Sequence, residues 1–172
     1  DSDEELLIWT TTPWTLPANT AVMMHPEFEY SLLEFNDRKI WVASELAEQI
    51  MEKFGYEDEY EIIEEKSGSE FEGLTYNHPL EEHVPAQEDV QGRVVLTERY
   101  VDLEGGTGLV HSAPGHGKED YEVGQEEGLD MVSPVDLKGQ FNEEAGKYEG
   151  LFVKDADDEI KQDLGKDLLY SG

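Results

Sequence analysis

Two short segments of the 172-residue chain hold the residue types from which a chemical site could be built. The first is WTTTPWTLPAN, Trp9 to Asn19. Thr10, Thr11 and Thr12 end an apolar run, and Pro13 cannot continue a strand ladder. Thr15, Pro17 and Asn19 then place hydroxyls and an amide beside irregular backbone. This is a polar pocket wall flanked by the indoles of Trp9 and Trp14. The same threonines also read as ordinary strand residues, and Asn19 as a turn former. The second segment is GGTGLVHSAPGHGKEDY, Gly105 to Tyr121. A glycine-rich turn enters a short strand carrying His111, a Pro-Gly break follows, and a helix opens with Asp120 in its first turn. A carboxylate there faces the positive end of the helix dipole, which favours the ionised form. Asp120 is therefore expected to be a fixed anion suited to an α-ammonium group, although a plain capping role fits the same position.

Other chemistries fit less well. The GTG turn lacks the Lys and Ser/Thr of a phosphate loop and the spacing of a dinucleotide fingerprint. His111, His116 and Asp120 match no standard zinc spacing and bring no evident outer-shell partner, so no metal site is expected. Ser112 follows His111 directly and on a strand points to the opposite face, which argues against a Ser-His-Asp triad.

The elements that must position these residues are mostly strands. Runs at Glu5–Thr10, Ala21–Met24, Tyr30–Phe35, Arg38–Val42, Tyr60–Lys66, Arg93–Thr97, Gly108–Ser112 and Met131–Val135 are short, β-branched or aromatic, and bounded by turn residues. Asn36 and Asp37 read as a tight hairpin between two of them. Three helices are expected: about Glu45–Phe54, with Ser44 as N-cap and Gly55 as stop; about Gly117–Glu127, ending before Gly128; and about Asp155–Leu164. The stretch from Gly68 to Gln91, rich in Pro, His, Asn and Glu, reads as a long surface excursion. The pattern predicts an α+β or mostly β fold, a β-barrel core with helices around it, over residues 1–172 without an evident domain boundary or repeat.

Composition bounds the class. The 42 Asp and Glu against 12 Lys and Arg give a formal charge of -30, spread end to end over a chain that is 37% hydrophobic. The apolar runs argue for a folded chain with an acidic coat rather than a disordered acidic tail. Such a coat suits a salt-rich cytoplasm, because at molar salt the screening length falls to roughly 3 Å. A halophile's protein is the expected source. Without cysteine there is no disulfide, thiolate metal site or Cys nucleophile. No apolar stretch reaches the roughly 20 residues of a membrane helix, and the DSDEE start is unlike a signal peptide, so a cytoplasmic location is expected.

Taken together, LLIWTTTPWTLPANTAV (Leu6–Val22), GTGLVHSAPGHGKEDY and PVDLKGQF (Pro134–Phe141) resemble the editing (CP1) domain inserted in class I aminoacyl-tRNA synthetases of the valyl, isoleucyl and leucyl type. The valyl and leucyl relatives carry an Arg after two threonines, so Thr12 and Trp14 point to the isoleucyl branch. The resemblance implies a domain excised from a larger synthetase that deacylates valyl-tRNA(Ile), and leaves open whether valyl-adenylate is a second substrate. It implies a pocket for the 3′ end of isoleucine tRNA carrying valine, the rest of the synthetase as a partner, and no cofactor in this domain, ATP and Mg serving the parent enzyme elsewhere.

Carried over by position, Asp120 anchors the α-ammonium group. Thr10, Thr11, Thr12 and Thr15 line the pocket, Thr11 and Thr12 limiting side-chain size and orienting water. His111 lies beside the ribose and the amino-acid moiety and joins Thr11, Thr12 and Asp120 as an expected catalytic residue, Asn19 shapes the adenosine end, and Trp14 forms a wall. The expected reaction is ester hydrolysis by a positioned water without a covalent enzyme intermediate. A metal-dependent hydrolase, an editing domain of the valyl or leucyl enzyme, and a non-catalytic acidic binding module are the competing readings.

Overall fold

The computed structural model describes residues 3–171. Its strands are β1 Glu4–Leu6, β2 Ala21–Met24, β3 Glu29–Phe35, β4 Arg38–Ala43, β5 Glu61–Ser67, β6 Thr75–Tyr76, β7 Gly92–Leu96 and β8 Leu109–Ser112. The helices are α1 Ala47–Phe54, α2 Lys118–Glu127 and α3 Asp157–Leu164, joined by several 3-10 turns. Strand order is β1-β4-β3-β5 in one sheet and β6-β7-β2-β8 in the other. The α+β class holds. Closure into a barrel does not: both sheets stay open, because β1, β2, β6 and β8 are each four residues or shorter and 3-10 turns interrupt the run of pairing.

The chain forms two compact units, one running through Thr10 and then Val22–Leu74 and Val94–Val110, the other Thr11–Ala21, Thr75–Arg93 and from His111 onward. In the first, β3 and β4 make a hairpin whose turn residues Asn36 and Asp37 have φ of 46° and 62°. Positive φ at both positions is what a tight hairpin turn requires, and Asn and Asp tolerate it. Cross-strand pairs Leu32–Trp41 and Leu33–Ile40 fill the core with Tyr30 and Phe71. The Trp41 and Phe71 rings meet edge to face at 4.9 Å. Gly108 (φ 81°) passes so close to β4 that an added Cβ would lie 2.4 Å from the Ala43 methyl. That approach lets Ala43 N–H donate to Thr107 O at 2.8 Å and Tyr30 Oη donate to Gly108 O at 2.6 Å.

Helix α1 buries Ala47, Ile50 and Met51 and stops at Gly55 in the left-handed region, as its spacing predicts. Ser44 is not its N-cap. Its hydroxyl pairs with Ser31 Oγ at 2.6 Å, and the chain enters α1 through a 3-10 turn, Ser44–Leu46.

In the second unit, Phe141, Ala145, Tyr148, Val153, Ala156 and the α3 residue Ile160 are buried, and Ala18, Ala113 and Val132 form a small cluster. The expected strand at Met131–Val135 is reduced to one isolated bridge, Val135–Phe141, since Pro134 has no N–H to give a ladder. The Gly68–Gln91 stretch is not a surface excursion: Phe71, Leu80, Val84 and Gln87 are all buried. No helix among the described residues is long and apolar enough to cross a membrane.

Candidate functional site

The threonine-rich peptide continues into a 3-10 helix, Pro13–Ala18. Pro13 and Pro17 lack N–H groups, so an α-helical ladder cannot form. The tighter i to i+3 bonds do, from Thr15 N to Thr12 O and from Asn19 N to Leu16 O, both 3.0 Å. Its buried backbone needs partners from elsewhere, and these come from another segment of the same unit. Gln87 Nε2 donates to Pro17 O at 2.7 Å and Asn19 O at 2.9 Å, and His78 Nε2 donates to Leu16 O at 2.7 Å. At the front end, Trp14 N–H donates to Asp157 Oδ1 at 3.0 Å, so the first turn of α3 caps the peptide.

Three sequence-predicted residues meet directly. His111, on β8, has Nε2 2.8 Å from Thr15 Oγ1 and Nδ1 3.0 Å from Asn19 Nδ2. Thr15 Oγ1 also donates to Thr12 O at 2.8 Å, and Asn19 Nδ2 to Ala21 O at 3.0 Å. Asn19 Oδ1 accepts a short hydrogen bond from Tyr76 Oη. Burial, aided by the neighbouring His78, pushes the His111 pKa down to about 4. The imidazole is therefore neutral at physiological pH. Burial also lowers His78 and raises the Tyr76 phenol, so the cluster carries no charge there. A polar cavity of about 110 Å³ opens beside Asn19, Tyr76, His78 and Gln87.

Asp120 sits in the first turn of α2, where its position predicts it, and Oδ2 accepts the Ala113 N–H at 3.1 Å, two residues past His111. Its pKa is raised: desolvation outweighs the Ala113 hydrogen bond, and Glu119 adds to the rise. The helix dipole alone points the other way, and burial wins. An ammonium group beside it would restore the preference for the ionised form.

The remaining residues are spread more widely. Thr11 and Thr12 are exposed, with Thr12 Oγ1 3.5 Å from Thr15 Oγ1. Trp14 is half-buried and meets the His116 ring edge-on at 5.3 Å. Thr10 falls in the other unit. Among the described residues no three His, Asp or Glu side chains converge as metal ligands. Ser112 is buried and its hydroxyl has no partner among them. Tyr76, His78, Gln87 and Asp157 escape sequence reasoning. Only the Tyr and His of TYNHPL, inside a stretch otherwise rich in loop formers, could have flagged two of them.

No protein-family model matches the chain. Isoleucine-tRNA ligase of Methanothermobacter marburgensis is 52% identical over 97% of this chain, and that of Archaeoglobus fulgidus 48% identical over 99%. The chain spans only 16% and 17% of those relatives' lengths. Among solved structures, a leucyl-tRNA synthetase CP1 domain, GlLeuRS-CP1, superposes with a TM-score of 0.77 at 19% identity, covering 97% of this chain and 83% of that one. The editing domain of the P. falciparum cytosolic leucyl-tRNA synthetase gives 0.72 at 12% identity, covering 99% and 81%. At such identities the likeness speaks for the fold alone.

Proposed function

The chain belongs to the isoleucyl-tRNA synthetase family as a segment with the editing-domain fold, and on that premise we propose that it hydrolyses the ester of valine wrongly attached to isoleucine tRNA. The chemical need is clear. One methylene is worth only about 1 to 3 kcal/mol in a pocket, a limit for which isoleucyl-tRNA synthetase is itself the standard example. A second site that admits valine and excludes isoleucine by size supplies the missing discrimination.

The observation that carries the reading is the Asp120 carboxylate, fixed through Oδ2 to the Ala113 amide in the same unit as the threonine peptide. Oδ1 makes no hydrogen bond to protein among the described residues and is the atom offered to the substrate's ammonium. With the ammonium held, the ester carbonyl is presented to a water oriented by Thr11 and Thr12, whose hydroxyls lie at the exposed end of the peptide. Thr15, Asn19 and His111 fix that peptide from behind. No enzyme nucleophile is needed, since the buried imidazole has both ring nitrogens engaged.

The partners are the remainder of the synthetase and the terminal nucleotides of its tRNA, in the cytoplasm. Twelve basic residues against 42 acidic ones are too few to neutralise a tRNA backbone, so the larger enzyme holds the tRNA body. The test is single-turnover deacylation of valyl-tRNA(Ile) by the full-length synthetase carrying this segment. Asp120→Ala should slow clearance by about 100-fold, the scale of losing substrate positioning. Unchanged clearance would sink the assignment.

A further inference from the structure

The hydrogen bonds around His111 admit only one proton arrangement, and two backbone carbonyls dictate it independently. A carbonyl oxygen can only accept. Ala21 O, 3.0 Å from the Asn19 side chain, therefore faces the NH2 group and fixes the amide's orientation. The NH2 group's second hydrogen then points at His111 Nδ1, which must be the acceptor nitrogen. From the other side, Thr12 O takes the Thr15 hydroxyl proton at 2.8 Å, so Thr15 Oγ1 has none left for His111 Nε2. Nε2 must carry the proton and donate. Both ends require the same neutral Nε2–H tautomer. The chain of donors runs from Tyr76 Oη to Asn19, from Asn19 to His111, from His111 to Thr15 and from Thr15 to the Thr12 carbonyl.

Tyr76 is where this chain starts. Asn19 Oδ1 is an acceptor inside a buried residue, and the phenol supplies its donor. Without the phenol Oδ1 is a buried acceptor with no donor, and the amide cannot rotate to relieve this, because Oδ1 would then face the Ala21 carbonyl; Asn19 is less firmly seated and its bond to Nδ1 weakens. The imidazole is then held less firmly against Thr15 Oγ1, and the Thr12–Thr15 turn that it braces is loosened.

We propose that Tyr76 is a positioning residue of this site: through Asn19 it seats the Nε2–H imidazole of His111, which pins Thr15 and hence the backbone that presents Thr11 and Thr12. His111 is on this account a neutral clamp and neither a general base nor a nucleophile. The catalytic consequence rests on the editing reading above, whereas the tautomer does not.

The experiment has two arms. In the first, the ring nitrogens of His111 are read by NMR on the histidine-labelled chain at pH 7. The wild type should show a protonated Nε2 and a bare Nδ1. A protonated Nδ1 or an imidazolium would overturn the proposal, whatever the protein's activity. Tyr76→Phe should keep the Nε2–H form, since Ala21 O still sets the amide, but should shift the Nδ1 resonance and speed exchange of the Nε2 proton; ring-nitrogen signals and exchange unchanged in that folded variant also overturn it. In the second arm, Tyr76→Phe in the synthetase should lower kcat for valyl-tRNA(Ile) deacylation about tenfold, the scale of one buried hydrogen bond, with KM changed less than about twofold. His111→Gln, whose amide can reach the Nε2 place and still donate to Thr15, should keep more activity than His111→Asn, whose amide reaches only the Nδ1 place. The reverse order, or an unaffected kcat in Tyr76→Phe, counts against the clamp. Absence of deacylation in the wild type would instead remove the editing reading and leave the NMR arm to decide the tautomer.

Discussion

Protonating His111 should unlatch the site, and the energy involved can be worked from its surroundings. The free imidazole titrates at 6.5 and the buried one at about 4, desolvation being the main cause. Between those values the unfolded chain binds a proton that folded His111 refuses. Stability is therefore complete above about 6.5, falls as pH drops through the window, and has lost this contribution below about 4. At about 1.4 kcal/mol per unit, the difference amounts to about 3 kcal/mol. The residue is only 9% exposed, so solvent screening takes little away. With 42 carboxylates titrating nearby, the raw pH profile is uninformative, and the variant His111→Gln supplies the reference. Urea unfolding of both proteins in the same concentrated salt, at pH 7.5, 6, 5 and 4, gives the difference at each pH. The stability of wild type minus variant should fall by about 3 kcal/mol from pH 7.5 to 4, with most of the change below pH 6.5. A flat difference, or an NMR titration of His111 near the ordinary imidazole value, would refute the reasoning.

Two further outcomes follow from the fold. Gly108→Ala asks an L-residue to adopt φ of 81° with its Cβ 2.4 Å from the Ala43 methyl, and should cost about 3 kcal/mol, seen as a much reduced urea midpoint. A midpoint within error of the wild type would show that β4 can move away at little cost. The formal charge of -30 predicts that the melting temperature rises steeply as KCl is raised from 0.1 to 2 M, levelling off once the screening length approaches about 3 Å. A melting temperature independent of salt would remove the case for a halophilic setting.

Legibility followed the kind of signal each feature leaves. Positions that need unusual backbone were readable: Asn36 and Asp37 in the hairpin, Gly55 and Gly128 closing α1 and α2, and the Pro-flanked threonine peptide all fall where the residue types place them. The encounter of Thr15, Asn19 and His111 was visible only as two separate polar segments, because local spacing cannot state that residues 96 and 92 positions apart will share hydrogen bonds. Gln87 and His78 were hidden for the opposite reason. In a stretch full of Pro, Asn and Glu they look like loop residues, yet Gln87 is buried and His78 half-buried because the carbonyls of Leu16, Pro17 and Asn19 require donors. Ser44 was misread because its partner, Ser31, lies across the sheet, and a tertiary hydrogen bond outcompeted the local cap. Barrel closure failed for a similar reason: strand propensity predicts strands, while pairing decides where a sheet ends.

The chain is heavily charged, whereas the hydrogen-bonded clamp around His111 is not. Thr15, Asn19, Gln87, neutral His111 and the Tyr76 phenol hold the peptide with hydrogen bonds between groups that do not ionise near neutral pH. Screening by salt weakens interactions between charges and leaves such bonds nearly untouched. A clamp made this way keeps its geometry in whatever ionic strength the acidic coat requires. On the proposed reading, the charge needed to recognise an ammonium group is confined to Asp120, where partial burial shields it from screening and the Ala113 amide fixes its direction. Replacing a member of the clamp by a charged isostere, such as Asn19→Asp, would place an anion beside the Tyr76 oxygen and in reach of His111 Nδ1. The carboxylate would draw a proton onto that nitrogen, raise the histidine's pKa and couple the site to salt and pH together.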